Sequence, residues 1–243
     1  MKALILNSGV GKRMGKLTDS YPKCMTSLIC GDTILSRQLK ILENVGVKDV
    51  IITTGPFEVM LINYVYSLKL NLNYKFVNNQ LYQKTNYIYS IYLAKEHLDD
   101  SMIVLHGDLV FEETILKDIL LLEGSFVTVS SLLPLPEKDF KAVIKNGQVK
   151  KIGVQYFEDA YTAQPFYKFE KADWIKWLEM INYFCINDNT NVYAEEAFNE
   201  IADTLSLYPF DYEDRLCNEI DTPDDLILVR TKLEETNLRK DQI

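Results

Sequence analysis

Apolar and polar positions follow two rhythms along this chain. Up to about residue 111, short apolar runs alternate with longer stretches whose apolar residues recur near the helical period. Ala3–Leu6, Asp49–Thr53, Leu72–Val77 and Met102–Leu105 read as strands. Thr33–Val45, Phe57–Leu68 and Ile88–Glu96 read as the helices between them. In the first helix Ile34, Leu35, Leu39, Ile41, Leu42 and Val45 share a face, and Gly46 follows where a helix-ending glycine belongs. In the third, Ile91, Leu93 and Ala94 are the expected buried side. Gly55-Pro56 ends the second strand. Strands separated by helical segments of about 10–15 residues predict a parallel sheet with helices on both faces.

Beyond Phe111 the rhythm changes. Thr114–Leu122 reads as helix and Ser125–Leu132 is rich in β-formers. Lys141–Lys145 and Gln148–Gly153 flank Asn146-Gly147, the mark of a type I′ hairpin. Tyr167–Phe184 opens strand-like and turns helical, with Trp174, Trp177, Leu178 and Ile181 along it; the two tryptophans read as core. Tyr193–Asp203 is helical and Leu205–Phe210 a strand. Asn218–Asp221 leads into a last helix that Asp221 or Thr222 could cap, with Pro223 in its first turn. No repeat or low-complexity linker intervenes, so residues 1–243 read as one domain.

Composition narrows the class. The chain has 243 residues, 47% hydrophobic and 25% charged, enough for one large α/β domain or two small ones. No run approaches ~20 apolar residues, so no membrane span is expected. Met1-Lys2 leads into an apolar strand, not a charged-then-apolar leader, so no signal peptide is read and a cytoplasmic location is expected. The four cysteines lack metal-type spacing and are expected as reduced thiols. A net charge of −9 with no basic stripe argues against a nucleic-acid partner.

The strongest chemical signal lies at the end of the first strand. Lys2-Ala-Leu-Ile-Leu6 empties into Asn7-Ser-Gly-Val-Gly-Lys-Arg-Met-Gly15, and Pro22-Lys23 follows. A glycine-rich turn after a strand offers backbone N–H groups to an anion. Gly9 and Gly11 permit positive φ and close approach of a ligand. Lys12, Arg13 and Lys23 place three cations around the turn, and polyphosphate suits it. The spacing matches neither the P-loop nor the dinucleotide fingerprint, because Gly9, Gly11 and Gly15 are one residue too far apart for the latter. That misfit weighs against a nicotinamide-dependent oxidoreductase. Asp108 follows the apolar run Met102–Leu105, at the strand end where α/β sheets bind ligands. Asp221 is distant in sequence; two such aspartates meeting at one point would offer Mg²⁺ the one or two carboxylates it takes beside phosphates and water. Asp221 equally suits a helix N-cap, and Asp224 and Asp225 suit helix N-terminal charges.

The opening turn resembles the G-x-G-x-R-[LM] … P-K signature of the sugar-nucleotide and choline-phosphate nucleotidyltransferases, carried here by Gly9, Gly11, Arg13 and Lys23. The resemblance implies a Rossmann-like mixed, mostly parallel α/β sheet with helices on both faces. A small β-containing insertion, about residues 134–199, would cover the site and bind the acceptor. It implies that the turn of Gly9 and Gly11 wraps an NTP; beside it, Lys12 is a candidate phosphate contact and the backbone of Leu6, Asn7 and Ser8 a candidate base contact. Arg13 would bind its β- and γ-phosphates and Lys23 would lie near the reacting phosphates, as the catalytic pair. Leu105-His-Gly-Asp-Leu-Val-Phe111 resembles the family's strand-plus-Asp element and adds Gly107. Glu219-Ile-Asp-Thr-Pro-Asp-Asp-Leu226 resembles its late acidic element. Asp108 and Asp221 are thus the implied Mg²⁺ ligands. Asn86-Tyr-Ile-Tyr-Ser90 is similar to the N-x-x-S-L element of choline-phosphate and related cytidylyltransferases, and the Gln-Pro-x-Gly run of the sugar-phosphate enzymes is absent. Asn86 and Ser90 are therefore implied cytosine contacts, although a helix cap and a buried hydroxyl suit them too. Asn7-Ser8 departs from the Ala-Ala or Gly-Gly usual before the turn.

In the insertion, Lys138, Lys141 and Lys151 are candidates to meet an acceptor phosphate or phosphonate. A cationic head group would want carboxylates and aromatic faces, which Tyr161, Trp174, Tyr193, Glu195, Glu196 and Glu219 could supply, although Trp174 suits the core better. The implied activity is Mg²⁺-dependent transfer of CMP from CTP to a small acceptor such as phosphocholine or 2-aminoethylphosphonate, releasing pyrophosphate. A sugar-1-phosphate nucleotidyltransferase using UTP, dTTP or CTP would share the N-terminal signature. A non-catalytic nucleotide-binding module would not need both aspartates.

Overall fold

The computed structural model describes residues 1–240; residues 241–243 of the expected domain lie outside the described residues. Its strands are β1 (Lys2–Leu6), β2 (Asp49–Thr54), β3 (Asn73–Asn78), β4 (Met102–His106), β5 (Leu109–Phe111), β6 (Ser125–Ser130), β7 (Lys141–Lys145), β8 (Gln148–Gly153), β9 (Ala160–Phe169), β10 (Leu207–Asp211) and β11 (Cys217–Glu219). Its α-helices are α1 (Ile34–Asn44), α2 (Glu58–Ser67), α3 (Tyr87–Ala94), α4 (Glu113–Leu121), α5 (Lys171–Ile186), α6 (Ala194–Ile201) and α7 (Pro223–Lys240). Among the described residues no helix is long and apolar enough to cross a membrane. All four cysteines are free, and only Cys30 is exposed.

The main sheet runs β10-β6-β9-β4-β1-β2-β3, and β9 alone opposes the direction of the other six. β1 lies between parallel neighbours β2 and β4, and its Ala3, Leu4 and Ile5 are all fully buried. Leu4 faces α3, α5 and α6, while Ala3 and Ile5 face α1, α2 and α4. Cover on both faces explains why this strand reads as an unbroken apolar run. A third cluster joins Met14 of the opening loop and Val110 of β5 to Leu226, Val229 and Leu233 of α7. The two ends of the chain therefore share a core beneath the loop.

Local chemistry accounts for the boundaries. Thr33 and Ser36 form a reciprocal cap at the start of α1, and Gly46, at φ 81°, ends it. Asn146 and Gly147 both have positive φ, as the β7–β8 turn requires.

The pattern misled at three places. β9 begins at Ala160, not at Tyr167, because Thr162, Gln164, Pro165 and Lys168 interrupt its apolar run. Thr162 and Lys168 find partners inside: Thr162 Oγ1 donates to the Pro134 carbonyl at 2.9 Å and Lys168 Nζ to that of Leu122 at 2.5 Å. Pro165 sits where the β6–β9 register slips between Val127 and Val129, so no ladder donor is required of it. Leu93 is half-buried, not buried like Ile91 and Ala94. The short antiparallel pair β5–β11 had no signal of its own. Of residues 134–199, β9 lies inside the main sheet, whereas the 134–140 loop borders the cleft.

Candidate active site

The cleft opens at the carboxyl ends of β1, β3 and β4. Past Leu6, the Asn7 N–H donates to Thr53 Oγ1 at 3.0 Å and ties the turn to β2. Gly11 has φ 67°, and a Cβ there would stand 2.9 Å from Lys23 Cβ, so both conformation and space demand glycine. Gly9 has open space around it but not the expected positive φ; Gly15 does. Leu6, Asn7, Gly9, Gly11, Lys12, Arg13, Lys23, Gly107, Asp108 and Asp221 line one cavity of about 280 Å³.

Asp221 reaches that cavity through β11. Glu219 pairs with Leu109, and the Ile220 N–H donates to the Asp108 carbonyl at 3.0 Å. Thr222, not Asp221, caps α7. Its N–H donates to Asp225 Oδ2 at 2.7 Å, and the Asp225 N–H returns to Thr222 Oγ1 at 3.3 Å. The Asp221 carboxylate is left for cations. Lys23 Nζ lies 2.7 Å from Asp108 Oδ2 and 2.5 Å from Asp221 Oδ1, and the Arg13 guanidinium lies 2.9 Å from Asp221 Oδ2. Burial opposes charge on Lys23, but the two carboxylates outweigh it and raise the pKa. Burial likewise opposes charge on Asp108, and Lys23 with His106 reverses that, holding its carboxyl below the usual range.

The turn carrying Asp108 is held from behind by a residue the pattern did not single out. Gln38 of α1 is buried, and its Nε2 donates to the carbonyls of His106 and Leu109, both at 2.8 Å. A glutamine within an amphipathic helix reads as surface, so sequence offered no signal. Gly107 packs the same turn against the opening loop; a Cβ there would fall 1.6 Å from Asn7 Oδ1.

The carboxylates fit a hard divalent cation. Asp108 Oδ1 is buried with no hydrogen-bond partner among the described residues, and Asp108 and Asp221 already converge on one positive charge. Two aspartates are what Mg²⁺ takes beside phosphates. His106, Asp108 and Glu219 also have ligand atoms within 4.8 Å of one another. There, however, His106 Nδ1 and Glu219 Oε1 are paired with each other at 3.0 Å, and imidazole suits softer ions. Burial and then Asp108 push the Glu219 carboxyl up to about 7. Burial would lower His106, but the hydrogen bond and charge of Glu219 raise it.

A second cavity, of about 190 Å³, adjoins the loop and is lined by Ser8, Asn79, Tyr82, Thr85, Asn86, Tyr87 and Ser90 among others. Asn86 both lines it and caps α3, its Oδ1 accepting from the Tyr87 N–H at 2.7 Å. Ser90 is buried yet bonded to Ser8 at 3.0 Å. Asn79 escaped the sequence reading, although its place just past a predicted strand end was a usable signal.

A third cavity, of about 320 Å³, adjoins the second along Asn86, Tyr87, His106 and Asp108 and reaches Asp221. Tyr87, His106, Lys138, Asp139, Phe140, Tyr193 and Glu219 help to line it. Lys138 and Glu219 thus stand where an acceptor could reach them. Glu195 does not. It is buried, accepts from Tyr167 Oη at 2.7 Å and from Tyr87 Oη, and so fixes the ring of Tyr87. Lys141 is buried too, its Nζ donating to the Pro136 carbonyl at 2.5 Å above the Phe157 ring. Lys151 donates to the Asn199 carbonyl at 2.9 Å. Tyr161 is 42% exposed and lines none of these cavities. Trp174 and Trp177 are core, their indole N–H groups bonded to the Leu98 and Ala194 carbonyls.

Comparison with known proteins places this geometry. Over 117 residues the chain is 31% identical to the CMP-5'-(3-aminopropyl)phosphonate synthase of Streptomyces rubellomurinus, covering 48% of this chain and 18% of that one. Over 119 residues it is 29% identical to the choline-phosphate cytidylyltransferase of Streptococcus pneumoniae, covering 49% of this chain and 50% of that one. The chain thus spans half or less of the length of these relatives. Its fold superposes on the CTP:phosphocholine cytidylyltransferase structure from Streptococcus pneumoniae with a TM-score of 0.79 at 22% identity, over 96% of this chain and 98% of that one. Residues 3–124, half of the sequence, from Ala3 of β1 to just past α4, match the MobA-like NTP transferase domain, and the chain belongs to that family of nucleotidyltransferases.

Proposed function

We propose that this protein transfers the cytidylyl group of CTP to a phosphate or phosphonate oxygen of a small acceptor. The acceptor oxygen bonds to the α-phosphorus, the bond from the α-phosphorus to the β-phosphate bridge breaks, and pyrophosphate leaves. Such an oxygen is already ionised near neutral pH, so no general base is needed. Catalysis then reduces to positioning and charge neutralisation. The observation that carries this reading is the meeting of Lys23, Arg13, Asp108 and Asp221 at the mouth of the glycine turn. The turn and Arg13 hold the β- and γ-phosphates, and Lys23 neutralises charge developing at the α-phosphate. Asp108 and Asp221 would hold Mg²⁺, which when bound supplies further neutralisation of the phosphates.

The third cavity supports an acceptor with a cationic head. Tyr87, Phe140 and Tyr193 give it aromatic faces, and Asp139 and Glu219 give it carboxylates. Lys138 at its rim meets the acceptor phosphate. Phosphocholine and 2-aminoethylphosphonate both fit this description. The names of the relatives, one making a CMP-phosphonate and one a choline-phosphate cytidylyltransferase, agree with it. The test is pyrophosphate release from CTP, UTP and dTTP with phosphocholine, 2-aminoethylphosphonate or glucose 1-phosphate, with and without Mg²⁺. Release is expected with CTP, Mg²⁺ and an aminated acceptor. Release only with glucose 1-phosphate, or with no combination, would refute the proposal.

A further inference from the structure

The base cavity contains a hydrogen-bond chain whose direction is set by the backbone. The Leu81 N–H donates to Asn79 Oδ1 at 2.9 Å, which commits the amide oxygen to the main chain. The amide nitrogen faces the other way and donates to Ser90 Oγ at 3.0 Å and to Thr85 Oγ1 at 3.1 Å. The proton of Thr85 goes back to the Leu81 carbonyl at 3.0 Å and closes that branch. Ser90, having accepted from Asn79, donates to Ser8 Oγ at 3.0 Å. Ser8 is therefore an acceptor within the protein, and its own proton has no acceptor among the described residues. It lines the cavity and is 7% exposed. A buried hydroxyl proton left over in the cavity wall calls for an acceptor on the ligand.

We infer that Ser8, polarised through Ser90 by Asn79, is a specificity-determining residue that selects a pyrimidine with a bare ring nitrogen over one carrying N–H at that position. This rests on the nucleotide reading of the cleft and names its base. Opposite cytosine the Ser8 hydroxyl meets a lone pair at N3. Opposite uracil or thymine it meets N3–H, which offers no lone pair, and the Ser8 proton is left without an acceptor. The chain draws on the ends of β1 and β3 and on α3, so its direction belongs to the fold and not to one mobile side chain. Asn79→Asp would reverse it. A carboxylate accepts from Ser90, Ser90 then accepts from Ser8, and Ser8 turns a lone pair toward the base.

The test is titration calorimetry of CTP and of UTP, each with Mg²⁺, on the wild type, Ser8→Ala and Asn79→Asp, with circular dichroism to confirm folding. The wild type is expected to bind CTP at least about tenfold more tightly than UTP. Ser8→Ala should bring the two within about twofold of each other, and Asn79→Asp should move the ratio toward UTP. If Asn79→Asp does not fold, Ser8→Ala decides alone. A CTP:UTP ratio that stays at the wild-type value in Ser8→Ala overturns the inference and leaves cytidylyl transfer standing. A wild type that binds neither nucleotide overturns the transferase reading and this inference together.

Discussion

On the nucleotide side of the cleft, Ser8, Asn79 and Ser90 are buried and each is bonded to another buried group. On the proposed acceptor side, Lys138 and Asp139 stand exposed on a loop, and Tyr87 and Tyr193 line the same cavity. The two sides meet along Asn86, Tyr87, His106 and Asp108, which line both cavities, and Asp108 also lines the cavity of the glycine turn. A wall of interlocked buried donors and acceptors discriminates by leaving a wrong ligand's groups unpaired. A wall of exposed charges discriminates weakly, because water screens each contact. On the proposed reading, the base half of the site is thus built for selectivity and the acceptor half for charge matching.

The sharpest way to break this contrast is at the shared centre. Lys23→Ala removes the ammonium that both aspartates hold and should lower turnover by ~10²–10³ with little change in circular dichroism. Pyrophosphate release near the wild-type rate would contradict the role given to it. One step back, Gln38→Leu leaves the His106 and Leu109 carbonyls without their donor and loosens the turn that carries Asp108. Turnover should fall about tenfold, and the Mg²⁺ concentration for half-maximal rate should rise. A variant with a lower Tm but an unchanged Mg²⁺ requirement would mark Gln38 as structural only. On the acceptor side the effects shrink. Lys138→Ala should raise KM for the acceptor by about two- to fivefold and leave KM for CTP unchanged. At the far end of the scale, Tyr161→Ala should leave both KM values and kcat at wild-type levels, since the ring lines none of the three cavities.

Legibility in the sequence followed the same division. The first half was readable because β1, β2 and β4 are covered on both faces and helices join β1, β2, β3 and β4 in turn, which leaves runs such as Ala3–Ile5 and helix faces such as that of α1. Asp108 was readable because it follows such a run. What brings Asp221 to it was not, since β5 and β11 are only three residues each and their pairing is set by tertiary contact. Gln38, Asn79 and Glu195 were missed or misplaced for one reason. A buried polar side chain is recognisable only by its partners, and those lie far away in sequence. Lys141 was misjudged in the same way, since a lysine whose ammonium is satisfied by a carbonyl under a loop looks, in the sequence, like any surface lysine.

The position of β9 has a consequence for where this chain can be cut. β6 and β10 reach the rest of the sheet only through β9, which borders β4 along Met102–Leu105. A fragment stopping at residue 124 would keep the glycine turn, Asn86–Ser90 and Asp108, lose Asp221, and leave that flank of β4 bare, an invitation to intermolecular strand addition. Such a fragment should be recovered as aggregate, whereas one extended through Phe169 carries the strand that seals the flank.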